Sequence, residues 1–173
     1  QIKDELIDNY SKMVQEAYLL FGGAHYEHYH FLVSCSGSIP YTGLEHLRSS
    51  LNGVGERDLH SENKLKSWVG YLLPHEYVHS WCGKYRRPAG MVRDDFHTEK
   101  DTRLLWVYEG LTQYLGHVLT VRSGLWDLDH YREVLAGNMG NYMRQEGRRW
   151  RTLEDTAGDS YHLRGGSRSW SKL

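Results

Sequence analysis

The chain contains 173 residues, 39% of them apolar and 13% aromatic, with 21 lysines and arginines against 22 aspartates and glutamates. This length and composition predict one globular domain, and the formal net charge of −1 excludes a broadly basic nucleic-acid-binding surface. No apolar run approaches the ~20 residues of a membrane span. The two cysteines are too few for a disulfide framework.

The first part of the chain predicts one helix followed by strands. Apolar residues at helical spacing predict a helix over residues 2–20, which the glycine pair at 22–23 ends. Residues 28–34 are rich in aromatic and β-branched side chains and predict a strand. Residues 41–50 predict a short edge strand, and residues 51–59 predict a loop.

The remainder of the chain predicts three helices. The first begins near Ser61, and Pro74 predicts either a kink or a new helix start within it. The other two cover residues 102–122 and residues 127–147, the latter beginning at an Asp127 cap. Long helices that follow a few strands predict an α+β fold, mainly helical with a small edge-strand region.

The most informative residues lie directly after Pro74, in the sequence His75-Glu76-Tyr77-Val78-His79. Residues four positions apart share one face of a helix, so both imidazoles can reach one ion. Glu76 lies beside that face, where a free carboxylate takes a proton from water activated by the metal. The pattern predicts a catalytic zinc site, although so short a motif also arises by chance in a chain with 11 histidines.

A catalytic zinc needs a third protein ligand, and Glu109 is the best candidate. It lies in an otherwise apolar helical segment, where a buried carboxylate is costly unless it is paired or bound to a metal. The alternative is a solvated glutamate on the exposed edge of an amphipathic helix. Cys82, three residues after His79, is another candidate ligand, but a thiolate favours a closed structural site. A small buried side chain is its default role.

Four segments together resemble the glycyl aminopeptidase family of zinc peptidases. They are HEYVHSW at 75–81, LWVYEGLTQY at 105–114, GLEH at 43–46 and RWRTLED at 149–155. The resemblance implies a thermolysin-like catalytic domain in which His75, His79 and Glu109 hold zinc and Glu76 is the general base. In this interpretation Gln113 supports a ligand imidazole, and Trp81 and Trp106 pack the two ligand helices together.

The same resemblance bears on the extent of the domain. It implies that residues 1–173 are a single, partial metallopeptidase domain, truncated from a longer chain with a β-rich N-terminal region and a C-terminal PDZ domain. Related enzymes stabilise the oxyanion with a tyrosine, which the resemblance places beyond Leu173. Tyr142 and Tyr161 match no motif and are expected to pack in the core or at the surface.

The GLEH element resembles the substrate-binding strand of related aminopeptidases. The resemblance implies that Gly43 and Glu45 bind substrate, with Glu45 on an edge strand where its carboxylate pairs with the α-ammonium of the peptide. Such pairing would reject peptides with blocked N-termini, while main-chain hydrogen bonds would hold the peptide backbone. The alternative is a solvated glutamate on a strand.

These observations predict a zinc-dependent aminopeptidase that removes small residues, glycine or alanine, from peptide N-termini. A zinc endopeptidase on the same site and a non-catalytic peptide-binding module are the alternatives. The expected partner is a peptide, with no nucleic acid and no membrane span. Residues 1–20 are amphipathic and acidic, which is not the pattern of a signal peptide, and the resemblance to a largely bacterial, often exported family favours a periplasmic or secreted setting.

Overall fold

The computed structural model describes residues 2–160, which form a three-stranded sheet and six α-helices. In chain order the elements are α1 (Asp4–Phe21), β1 (His30–Cys35), β2 (Thr42–Glu45), β3 (Ser49–Val54), α2 (Glu62–Leu65), α3 (Trp68–Trp81), α4 (Leu105–Arg122), α5 (Leu128–Met143) and α6 (Leu153–Gly158). The predicted α+β class is confirmed. Within residues 2–160, no helix has the length and apolar character needed to cross a bilayer.

Helix α1 matches the helix predicted over residues 2–20. It ends because Gly22 adopts a left-handed conformation with a φ of 76°, which is typical of a helix C-terminus. Its buried residues are Leu6, Met13 and Ala17, and the helix packs against α3 and α4. The amphipathic spacing in the sequence therefore identifies the inner face of α1.

Strand β3 lies at the centre of the sheet, parallel to β1 on one side and antiparallel to β2 on the other. The loop predicted over residues 51–59 is therefore wrong at its start. Its sequence lacks the aromatic and β-branched residues typical of a strand, and polar contacts fix it in the sheet instead. The buried Asn52 side chain donates hydrogen bonds to the Leu32 carbonyl and to Ser50 Oγ. Strand β2 lies at the edge of this sheet, with Glu45 paired to Ser50, but the edge strand predicted over residues 41–50 is too long, because Ser49 and Ser50 belong to the central β3.

Helix α3 forms the centre of the domain, and most of its 14 residues are buried. The chain runs as one helix through Pro74, so the predicted new start there is wrong. Ser61 does cap a helix, the short α2, by accepting a hydrogen bond from the backbone N–H of Lys64. The helix that carries the zinc-ligand motif is a separate one, α3, which begins at Trp68 after α2 has ended at Leu65.

Helix α4 packs along α3 and brings a second group of polar residues towards it. Gly116 makes this close approach feasible, because a Cβ atom at that position would lie 3.1 Å from the Cα of His75. The predicted helix over residues 102–122 is thus confirmed with a start at Leu105. Its first turns face the motif on α3.

Helix α5 begins at the predicted cap, where Asp127 accepts a hydrogen bond from the backbone N–H of His130. It ends at Met143, before the predicted end at residue 147. Within the part of the chain that the structure describes, none of the α5 residues is buried. Tyr142 is 61% exposed on this helix, so it lies at the surface. Tyr161 lies outside the described residues.

Candidate metal centre and peptide cleft

Two imidazoles and one carboxylate converge between α3 and α4. His75 and His79 lie one turn apart on α3, and their Nε2 atoms are 3.1 Å from each other. Glu109, on α4, brings its Oε2 atom to 3.5 Å from the first and 3.4 Å from the second. Donor atoms of all three residues lie within 4.8 Å of one another. The residues predicted from the sequence to share a metal are thus neighbours in the fold.

The surroundings of His79 prepare it to bind a cation. Its Nδ1 lies 3.2 Å from the carbonyl oxygen of Cys82, which only accepts hydrogen bonds, so Nδ1 carries the proton. The Thr112 hydroxyl lies 3.3 Å from the same nitrogen and donates to the Tyr108 carbonyl at 2.7 Å. The lone pair of Nε2 therefore points towards Glu109. This carbonyl–imidazole pairing is the support that metal-binding histidines usually have.

Two nitrogens and one oxygen match the ligand set of a catalytic zinc site with a free coordination position. Partial burial raises the pKa of Glu109, but its interactions with the neighbouring imidazoles of His75 and His79 outweigh this effect and lower the pKa to about 2. The carboxylate is therefore ionised at neutral pH. His75 Nδ1 is buried without a hydrogen-bond partner among residues 2–160. The donor set as a whole fits a divalent zinc ion.

Glu76 is adjacent to this centre in sequence but is not part of the cluster. Its side chain is only 5% exposed and extends towards strand β2. Burial raises its pKa to about 7, an effect that His75 opposes and the carboxylates of Glu45 and Glu109 reinforce. A carboxyl group with a pKa near neutrality is suited to both accepting and releasing a proton.

Gly43 lies directly against the Glu76 carboxylate. A Cβ atom at this position would be 1.9 Å from Glu76 Oε1 and 2.9 Å from Leu72 Cδ1. Any side chain at position 43 would therefore occupy the space of the carboxylate. The sequence resemblance predicted a substrate-binding role for Gly43, and the packing adds a steric reason for glycine on this strand.

Glu45 is the last residue of β2 and makes two polar contacts with other elements. Its Oε1 accepts a hydrogen bond from the Tyr108 hydroxyl at 2.5 Å and lies 3.3 Å from Lys84 Nζ. Burial raises the pKa of Glu45, but the Tyr108 hydrogen bond and the Lys84 ammonium outweigh it, so the pKa lies below its ordinary value. Glu45 is therefore an ionised, anchored carboxylate.

A cleft of about 860 Å³ lies beside Glu109 and Glu45. Glu109 lines it together with Glu45, Lys84 and Tyr108, so one candidate metal ligand and the candidate recognition carboxylate face the same space, whereas His75 and His79 do not line it. Trp106 also lines this cleft and is 46% exposed. A peptide in the cleft would therefore contact both Glu109 and Glu45.

The structure corrects two sequence-based assignments near the site, those of Trp106 and Gln113. Trp106 is 46% exposed in the cleft instead of packed between the ligand helices, and Trp81, which is buried, stacks at 4.6 Å on Phe21 of α1. The Gln113 amide lies 3.1 Å from His117 Nε2, and Thr112 is the α4 residue that contacts a candidate ligand imidazole. Cys82 contributes its backbone carbonyl, and its thiol is not part of the metal cluster. Contacts of this kind depend on helix packing, which the sequence signals poorly.

Comparisons with known proteins identify the family to which this chain belongs. The model of the M61 glycyl aminopeptidase family matches residues 69–173, more than half of the chain. A similar solved structure is an aminopeptidase N family protein from Idiomarina loihiensis, 26% identical, with a TM-score of 0.79. The similarity covers 90% of this chain and 27% of that protein, so the chain spans about a quarter of its length. Curated proteins gave no match. The chain belongs to the M61 glycyl aminopeptidase family.

Proposed function

We propose that this protein is a zinc-dependent aminopeptidase that removes glycine or alanine from peptide N-termini, on a thermolysin-like site. One observation carries the proposal: the donor atoms of His75, His79 and Glu109 converge beside the buried Glu76. Membership of a peptidase family supports the reaction class. The cleft shared with Glu45 supports recognition of a free N-terminus.

In this proposal each residue of the site has one task. His75, His79 and Glu109 hold zinc, which when bound supplies an activated water and polarises the scissile carbonyl. Glu76 takes a proton from the attacking water on its carboxylate and delivers it to the leaving amine, a role its pKa of about 7 favours. Glu45 pairs with the α-ammonium, and the edge strand β2 offers main-chain hydrogen bonds to the peptide.

A zinc endopeptidase on the same site is the second candidate, and one contact favours it. Glu45 already has a cationic partner in Lys84, so its carboxylate is not an isolated anion waiting for a substrate. If Glu45 served only to hold Lys84, the enzyme would not require a free N-terminus. The two candidates therefore differ in how they treat blocked peptides.

The experiment that separates them compares a glycine-initiated peptide with its N-acetylated copy, using zinc-loaded protein and mass spectrometry. We expect loss of the first glycine from the free peptide only, abolished by a chelator and restored by zinc. Internal cuts in both peptides would favour the endopeptidase. Binding without any cleavage by zinc-loaded protein would favour a peptide-binding module.

Replacement of Gly43 by alanine tests how Glu76 is held. The new methyl group would overlap the Glu76 carboxylate, so we expect Glu76 to move and kcat to fall by about 100-fold, since displacements near 1 Å have such effects. Zinc content should not change, because the atoms nearest to a Cβ at position 43 belong to Glu76 and Leu72, which are not candidate ligands. Steady-state kinetics and zinc analysis provide the measurement. Gly137→Ala is the matched control, since a Cβ atom there meets nothing within 4 Å; equal losses in both variants would contradict the steric account.

A further inference from the structure

Lys84 places an ammonium group on the carboxylate that the proposed function assigns to substrate recognition. Its Nζ lies 3.3 Å from Glu45 Oε1, and the two side chains are only 24% and 19% exposed. This is therefore a partly buried ion pair inside the cleft, where water screens the charges less than at an open surface. Both residues line the same space as Glu109.

The backbone fixes Lys84 relative to the candidate metal centre. Its N–H donates to the carbonyl oxygen of His79 at 3.0 Å, so Lys84 is tied to the last turn of α3. The preceding Gly83 has a φ of 141°, and a Cβ atom there would lie 2.7 Å from the ring of Tyr108. The chain turns back at once, since the Gly83 N–H donates to the Arg86 carbonyl at 2.7 Å. Lys84 thus begins from a constrained position beside the cleft.

Tyr108 holds the carboxylate independently of Lys84. Its hydroxyl donates to Glu45 Oε1 at 2.5 Å, and its ring packs 4.8 Å from the imidazole of His79. Removal of the lysine charge would therefore leave Glu45 with one firm anchor. Without any cation, however, a carboxylate with this little exposure is costly, so an ammonium beside it stabilises the empty cleft.

We propose that Lys84 is a specificity-determining residue whose ammonium pairs with Oε1 of Glu45 and opposes binding of the substrate α-ammonium to the same carboxylate. This inference rests on the proposed role of Glu45 in recognising a free N-terminus. Two ammonium groups on one carboxylate repel each other, so a bound peptide must displace Lys84 or accept a weaker contact. Lys84 therefore lowers the affinity for free N-termini and leaves blocked peptides unaffected.

The test is an NMR titration of zinc-loaded protein with glycinamide, which carries an α-ammonium and no carboxylate. For Lys84→Met we expect a Kd about tenfold lower than for the unmodified protein, equivalent to ~1.4 kcal/mol. Lys84→Arg keeps the charge and should retain the original Kd, which guards against a folding defect in the first variant. N-acetylglycinamide should show no difference, and Lys12→Met, on the exposed face of α1, is the matched control.

Unchanged or weaker glycinamide binding by Lys84→Met would overturn this inference. If cleavage still required a free N-terminus, the proposed aminopeptidase function would stand and only the competition by Lys84 would be wrong. If neither the unmodified protein nor Lys84→Met bound glycinamide, and both cleaved acetylated peptides, the recognition role of Glu45 would be wrong together with the inference. A gain in affinity that Lys12→Met shared would also contradict the account.

Discussion

Glu109→Gln is expected to lose zinc and, with it, peptidase turnover. Two neutral imidazoles are insufficient for a catalytic zinc site, and Glu109 supplies the only charged donor in the cluster described. An amide keeps the size of the side chain but removes the charge that neutralises part of the ion. We expect zinc affinity to fall by at least about 100-fold, more than changes around the ligands usually cause. Metal analysis after dialysis gives the measurement.

The matched control is Glu133→Gln, on the exposed surface of α5. It removes the same charge from a helix and should keep both zinc and activity. Circular dichroism should show that both variants keep their helices, because Glu109 is half exposed and does not fill the core. Full zinc occupancy in Glu109→Gln would mean that another residue is the third ligand, and the assignment of Glu109 would be wrong.

Glu76→Gln is expected to keep zinc and lose turnover. Glu76 lies outside the ligand cluster, so the metal should bind as before, while kcat falls by roughly 10²- to 10⁴-fold, the usual contribution of a general acid–base. Glutamine fits the same space against Gly43 and cannot take the proton. The KM should change little, because substrate contacts with Glu45 and β2 remain.

The stability of Glu76→Gln separates this account from a structural role. Burial disfavours the ionised form of Glu76, so a neutral amide of the same size should not lower the melting temperature at neutral pH. Thermal unfolding, zinc content and kcat measured on one preparation give the comparison. Loss of zinc together with activity would make Glu76 a ligand, and unchanged kcat would remove it from the mechanism.

Helices α1, α4 and α5 were predictable because their signals are local, whereas the separation of α2 from α3 and the short helix α6 were not predicted. The apolar spacing of α1 and the glycine that ends it at Gly22 are both visible in residues close together in the sequence. Strand β3 was not predictable, because Asn52 and Ser50 are polar residues that are buried through contacts with each other and with β1. A strand of this kind becomes recognisable only when its neighbours are known.

The same contrast holds within the site. His75 and His79 could be placed together from the helical repeat alone. Glu109 was chosen from the cost of a buried carboxylate and from the family resemblance, but its side chain is 50% exposed, so the resemblance is the stronger of the two arguments. Thr112 and Lys84 were not assigned a role from the sequence, because their contacts arise from the approach of α4 to α3 and from the turn after α3.

For Gly43 the sequence resemblance predicted a role in the site but did not predict its steric role. Its position in the GLEH element points to substrate binding, whereas the structure adds direct contact with the Glu76 carboxylate. The sequence separation between the two residues hides this contact. Strand β2 therefore does two things at once: it shapes the position of the proposed general base and carries Glu45 to the cleft.

X-ray absorption at the zinc edge, combined with metal analysis, tests the central claim most directly. The account predicts one zinc per chain, bound by two imidazole nitrogens and one carboxylate oxygen, with no sulfur ligand. A zinc–sulfur distance near ~2.3 Å would instead identify Cys82 or Cys35 as a ligand and indicate a structural site. Failure to bind zinc at all, in protein that is correctly folded, would contradict the metallopeptidase mechanism proposed for this chain.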